Sequence, residues 1–137
     1  MKDRGRRLAF DYGSSRIGVA VCDPDAILAT PLPFIPNKGK IASAITALLD
    51  EYQPISIYVG RPTHLAGNAS ATLEQVEKFS SLIQTLTDVP VSFIDERLTT
   101  VSASKMLTEA GVSTKDQRNI IDSMAAVTIL ESAIASL

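Results

Sequence analysis

Tryptophan is absent from this 137-residue chain, and cysteine and histidine occur once each, as Cys22 and His64. A lone cysteine forms no internal disulfide, so Cys22, directly after an apolar run, is expected to be a small buried hydrophobe. One His and one Cys argue against a zinc site, which draws mainly on those two residue types. Any metal would be held by carboxylates, the donors that Mg²⁺ and Mn²⁺ prefer. With His64 isolated in a loop-like stretch, no Ser–His or Cys–His nucleophile pair is evident. No uninterrupted run of about 18 apolar residues occurs, and the basic N-terminus is not followed by the apolar core and cleavage site of a signal peptide. A cytoplasmic location is therefore expected. Strong charge of either sign is also missing: 13 Lys and Arg against 15 Asp and Glu give a net charge of −2. Binding to a polyanion would have to use local patches, the densest being Lys2, Arg4, Arg6 and Arg7.

What is present is enough apolar residue, 45% of the chain, for one core. A single domain over residues 1–137 is expected, with 1–6 as a mobile basic tail. Leu8 to Phe10 and Ile17 to Val21 are apolar runs around Gly13, Ser14 and Ser15, a β-hairpin with a loose tip. Ala29 to Pro36, with Pro31, Pro33 and Pro36, suits an edge strand. Helical spacing over Lys40 to Tyr52 precedes a short apolar strand, Ile55 to Val59, as in a parallel crossover. A second helix is expected from Ala71 to Leu86, a strand from Val91 to Ile94, and a helix from Thr100 to Ala110, stopped by Gly111. Ser113 to Asn119 reads as loop and Ile120 to Leu137 as the closing helix. The order implies an α/β domain whose five-stranded mixed sheet begins as an antiparallel meander and continues with parallel strands, flanked by helices.

Three acidic positions stand out. Asp11 closes the first apolar strand, where a half-buried carboxylate costs several kcal/mol unless a cation or good donors meet it. It is equally suited to open a β-turn, with Gly13 then supplying a positive φ. Asp95 and Glu96 follow the last strand; as neighbours they point to opposite faces, so only one can join Asp11. Ligands of parallel α/β sheets gather at that end of the strands. Both acids could instead open the next helix at its positive dipole end. Asp122 shares a helix face with Ala125, Ala126, Ile129 and Ala133, small residues that let the helix approach the sheet. A helix N-cap is the alternative, though no Glu or Gln follows three residues on.

Were Asp11, Glu96 and Asp122 to converge, each like-charged pair at about 4 Å and an effective dielectric of about 20 would cost roughly 4 kcal/mol. Two divalent cations bridged by Asp11 would relieve that repulsion. Such a pair serves in-line phosphodiester hydrolysis, one ion acting on the attacking water and the other on the leaving oxygen.

The stretches DYGSSRIGVAV, VGRPTHLAGNAS, DERLTTVSA and IDSMAAVTILE together resemble the YqgF/RuvX family of RNase H-like nucleases, from Leu8 to about Ala133. The resemblance implies a ribonuclease H-like fold, dependence on Mg²⁺ or Mn²⁺, and nuclease chemistry, either in maturing the 5′ end of pre-16S ribosomal RNA or in resolving Holliday junctions. By motif position it places the acidic ligands on Asp11, Glu96 and Asp122. After Gly60 many relatives resemble GLPxNMxG; here Arg61 stands for the Leu and His64-Leu65 for the Asn-Met.

Arg16 and Arg97 are candidate substrate-binding residues that would hold a phosphate beside the metals, or else neutralise a nearby carboxylate. His64 reads as a surface loop residue. The expected partner is nucleic acid, structured RNA or branched DNA. A resolvase acting on two symmetric strands implies a homodimer; a trimming nuclease does not require one. Two rivals remain in the sequence: the hairpin also resembles the phosphate-binding hairpin of sugar kinases and actin-like ATPases, which need two such domains, and a non-catalytic RNase H-like binding module would need no acids.

Overall fold

The computed structural model describes residues 3–61, 69–95 and 114–137, with side chains for all of these but 69–72 and 114–122. Among the described residues three strands come first and helices and strands then alternate: β1 (Arg7–Tyr12), β2 (Arg16–Cys22), β3 (Ala29–Pro36), α1 (Ile41–Tyr52), β4 (Ser56–Arg61), α2 (Ala69–Leu86), β5 (Val91–Asp95) and α3 (Thr114–Ala135). They build one sheet in the order β3-β2-β1-β4-β5. The β1–β2 and β2–β3 pairs are antiparallel, while β1–β4 and β4–β5 are parallel. This is the mixed sheet that the strand and helix order implied. The expected helix from Thr100 to Ala110, with Gly111, lies outside the described residues.

Strand alternation sorts the core into two layers. Leu8, Phe10, Ile17, Val19, Ile57 and Val59 face α1 and α2, meeting Ile45, Val76, Phe79 and Ile83. There Phe10 and Phe79 pack edge to face, with ring centres 5.6 Å apart. Ala9, Ala20 and Cys22 face the other way, onto Ala126, Val127, Ile129 and Leu130 of α3. Cys22 is buried as expected, and its sulfur accepts the Arg7 N–H at 3.3 Å. The alanines on both sides of this second layer allow α3 to lie close on the sheet.

Four local readings are corrected. The hairpin tip is tied down: Asn37 donates from its side chain to the Gly13 carbonyl at 2.6 Å and from its N–H to the Ser15 carbonyl at 2.9 Å. Gly13 does not have a positive φ. It is needed for space, since a Cβ there would stand 2.5 Å from the Arg16 carbonyl oxygen. The closing helix starts at Thr114, not Ile120. Its first turns read TKDQRN, polar but free of Gly and Pro, and polarity alone does not end a helix. Finally, residues 4–7 are no free tail. Arg4 pairs with Asp25 at 3.1 Å, the Gly5 N–H donates to Pro24, the Arg6 carbonyl accepts from Ile55, and Arg7 is buried.

Candidate active site

Asp11 is not the first residue of a turn. It sits inside the β1–β2 ladder, half-buried and paired with Gly18, and β1 runs on to Tyr12. Alternation from Ala9 puts it on the face that α3 covers. On the other neighbouring strand the register reaches Phe10 opposite Val59, so the next residue beside Asp11 is Gly60. The carboxylate is thus flanked by glycine on both adjacent strands, and no Cβ crowds it from either side.

The last helix approaches the same place. Its buried Ser123 accepts a hydrogen bond from the Val19 N–H at 3.3 Å and donates one to the Leu32 carbonyl. Val19 follows Gly18, the partner of Asp11, and Ser123 follows Asp122. Leu137, just past α3, lines a cavity with Arg7 and Ser56 at the starts of β1 and β4, so α3 runs antiparallel to β1. Its earlier residues therefore lie toward the Asp11 end. At about 100° per residue, position 122 falls between positions 129 and 133 on the helix surface, and Ile129 and Ala133 are both buried. Lying eight residues inside α3, position 122 is no N-cap.

β1 and β5 both run parallel to β4, so Asp95 ends β5 on the same sheet edge as Asp11. It is on the opposite face: Ile94 packs with the α3 layer and Val91 with the α1–α2 layer, which puts Asp95 with Val91. Arg61, its register partner on β4, lies over the Phe93 ring at 5.3 Å and reaches Glu77 at 3.7 Å. Arg16 starts β2 at this edge and stacks over Phe34, 5.1 Å from the ring centre. Glu96, Arg97 and His64 lie outside the described residues. Among the described residues, no three His, Cys, Asp or Glu form a metal-ligand group.

Sequence reading passed over two residues that matter. Ser123 gave no signal, because a serine inside an apolar helix stripe looks like any other small residue. Asp23 organises the β2–β3 turn: its carboxylate accepts from the N–H groups of Leu28, Ile27 and Asp25 at 2.7, 2.8 and 3.1 Å. These bonds, the one from Leu28 foremost, hold its pKa below the ordinary 3.8.

The family model described as "RuvX: Holliday junction resolvase" matches residues 5–136. The chain belongs to the RuvX family. Among curated relatives it is 46% identical to a Streptomyces coelicolor protein over 97% of this chain and 81% of that one, and 45% identical to a Streptomyces avermitilis protein over 97% and 87%. A Mycobacterium tuberculosis protein is 44% identical over 94% and 78%. All three are named "Putative pre-16S rRNA nuclease". Two solved structures share the fold: Thermus thermophilus RuvC with a Holliday junction substrate, at TM-score 0.60 and 16% identity over 96% of this chain and 94% of that one, and the fowlpox virus Holliday junction resolvase, at 0.57 and 13% over 96% and 99%. The RNase H-like fold expected from the motifs is the one found. RuvX membership places the chain among nucleases.

Proposed function

We propose that this RuvX chain hydrolyses phosphodiester bonds in the 5′ region of pre-16S ribosomal RNA, using divalent metal ions held by Asp11, Glu96 and Asp122. The observation that carries the reading is the short backbone path from Asp11 through Gly18, Val19 and Ser123 to Asp122. It links two carboxylate positions far apart in sequence at one end of one sheet face. The face of Asp95 supports Glu96 as the third ligand, because of two consecutive acids only one can share the face of Asp11.

The donor set fits Mg²⁺ or Mn²⁺: it is all oxygen, and glycines on both sides of Asp11 leave room for ions and a phosphate. Bound there, such ions supply activation of water and neutralisation of the leaving oxygen. The chain's own contribution is to hold the carboxylates on rigid elements, Asp11 in a strand paired on both sides and Asp122 in a docked helix. Arg16 and Arg97 would grip substrate phosphates beside that centre. The expected partner is structured RNA, and the expected compartment the cytoplasm.

Resolution of branched DNA is the second reading, favoured by the fold shared with a junction-bound resolvase; it would call for a homodimer. Titration of the protein with Mn²⁺, following cleavage of a pre-16S 5′ fragment and of a four-way DNA junction, tests both. Metal-dependent RNA cleavage lost in Asp11→Asn, Glu96→Gln and Asp122→Asn carries the first reading. Symmetric junction cleavage without RNA cleavage would replace it. Cleavage of neither would leave a non-catalytic binding module.

A further inference from the structure

We propose that Ser123 is a positioning residue for the metal-binding acids, its hydroxyl fixing where α3 stands on the sheet and so where position 122 lies relative to Asp11. The proposal rests on the nuclease reading above. Ser123 is completely buried, and its hydroxyl spans two strands, taking the Val19 N–H and giving to the Leu32 carbonyl. It does so where the β2–β3 ladder is irregular: Ile17 pairs with Ile35 but Val19 pairs with Leu32, so Gly18 alone stands opposite Pro33 and Phe34. A bulge of this kind marks a place where a strand is re-aimed, and such places gather beside active sites.

The location of the bulge gives the contact its meaning. Gly18 is both the residue facing the bulge and the residue paired with Asp11. The other buried contacts of α3 with the sheet, made by Ala126, Val127, Ile129 and Leu130, are apolar and non-directional. They hold the helix down without fixing its axial position. A hydroxyl between one donor and one acceptor does fix it, because both bonds are directional and both partners are main chain. Position 122 is the neighbouring one, so a small slide or turn of α3 moves it relative to the strand that carries Asp11. Misplacement by about 1 Å is enough to cost on the order of 100-fold in rate.

Ser123→Cys keeps the volume and loses most of the hydrogen bonding, and Ser123→Ala removes it altogether. Both are compared with Val127→Ala, which loosens the same helix interface but keeps the hydroxyl. Measurements at a temperature well below every melting point are kcat, KM, the Mn²⁺ concentration for half-maximal cleavage, and the rise in Tm caused by Mn²⁺ without substrate. In both Ser123 variants kcat is expected to fall about 10- to 100-fold, with half-maximal Mn²⁺ raised at least threefold, KM within threefold and the Mn²⁺-induced rise in Tm reduced. Val127→Ala is expected to melt earlier with kcat and Mn²⁺ dependence unchanged. If Ser123→Cys cleaves with wild-type kcat and Mn²⁺ dependence and only its Tm falls, the hydroxyl is a structural bond and the proposal is overturned. Should Ser123→Ala not fold, the Cys variant decides alone. A wild-type protein with no Mn²⁺ response in cleavage or melting overturns the nuclease reading, and this one with it.

Discussion

Asp11 and Gly18 face each other across the first hairpin, so the candidate metal ligand stands opposite a residue without a side chain. Gly60, one step past the Phe10–Val59 pair on β4, likewise brings no Cβ to its other side. Gly18→Val is therefore expected to reduce cleavage by at least about 10-fold by crowding the ions and phosphate. Gly18 is itself buried on the α3 face, so the added side chain should also lower Tm, and cleavage is compared at a temperature where the variant is fully folded. Wild-type cleavage by a folded Gly18→Val protein would show that the opening has no role.

Asp11 also separates stability from activity. Replacing it with Asn removes the charge and keeps the shape. Cleavage is expected to drop by about 100-fold or more, the scale on which loss of one preorganised charge-stabilising group acts. Thermal unfolding in metal-free buffer should be unchanged or shifted upward, since repulsion among convergent acids is relieved. A lower Tm without metal would mean that Asp11 has a structural partner that outweighs this repulsion.

The turn at Asp23 gives a pH prediction. Its carboxyl has a pKa below the ordinary 3.8 because three backbone N–H groups stabilise the charged form, so folding favours the ionised side chain. The contribution is complete above the ordinary value and is lost as pH falls through the lower folded value. Asp23→Asn should therefore narrow the difference in stability between neutral and strongly acidic pH, and the two proteins should converge at the acid end. Chemical denaturation at several pH values measures this. The turn carries exposed Ile27 and Leu28 on a tightly bonded backbone, so hydrogen exchange at their amides should also speed up in the variant.

Small residues on both sides let α3 approach the sheet closely. Ala126 is fully buried against the sheet. Ala126→Leu inserts three carbons into a packed contact and is expected to destabilise by about 1–3 kcal/mol, read as a lower midpoint in urea. Because the helix must also stand off from the sheet, activity should fall further than stability alone explains, unlike Leu130→Ala, which costs about 2–5 kcal/mol through a cavity.

Arg16 tests the substrate side. If it grips a phosphate, Arg16→Gln should weaken substrate binding and lower the slope of log affinity against log salt by about 1. An unchanged slope would leave Arg16 a structural residue, its stacking on Phe34 included, with no part in gripping substrate.

The sequence by itself determined the order of the strands and helices that the structure describes, and the edge strand with its prolines, because these follow from periods of 2 and 3.6 residues and from local turn chemistry. It also brought Asp11, Glu96 and Asp122 forward, since a carboxylate at the end of an apolar strand or on a smooth helix face is costly without a reason. What only the tertiary structure decided are the relations across elements. Asp11 lies in a ladder opposite Gly18 because β1 runs on past it and the hairpin tip is held short by Asn37, a residue beyond β3. Asp95 falls on the face away from Asp11 because β5 docks with Ile94 toward α3. Ser123 matters because a bulge between β2 and β3 presents a donor and an acceptor to a helix about a hundred residues later in the chain. Local pattern fixes which side chains share a face, but the main-chain groups they meet are set by packing between segments distant in sequence.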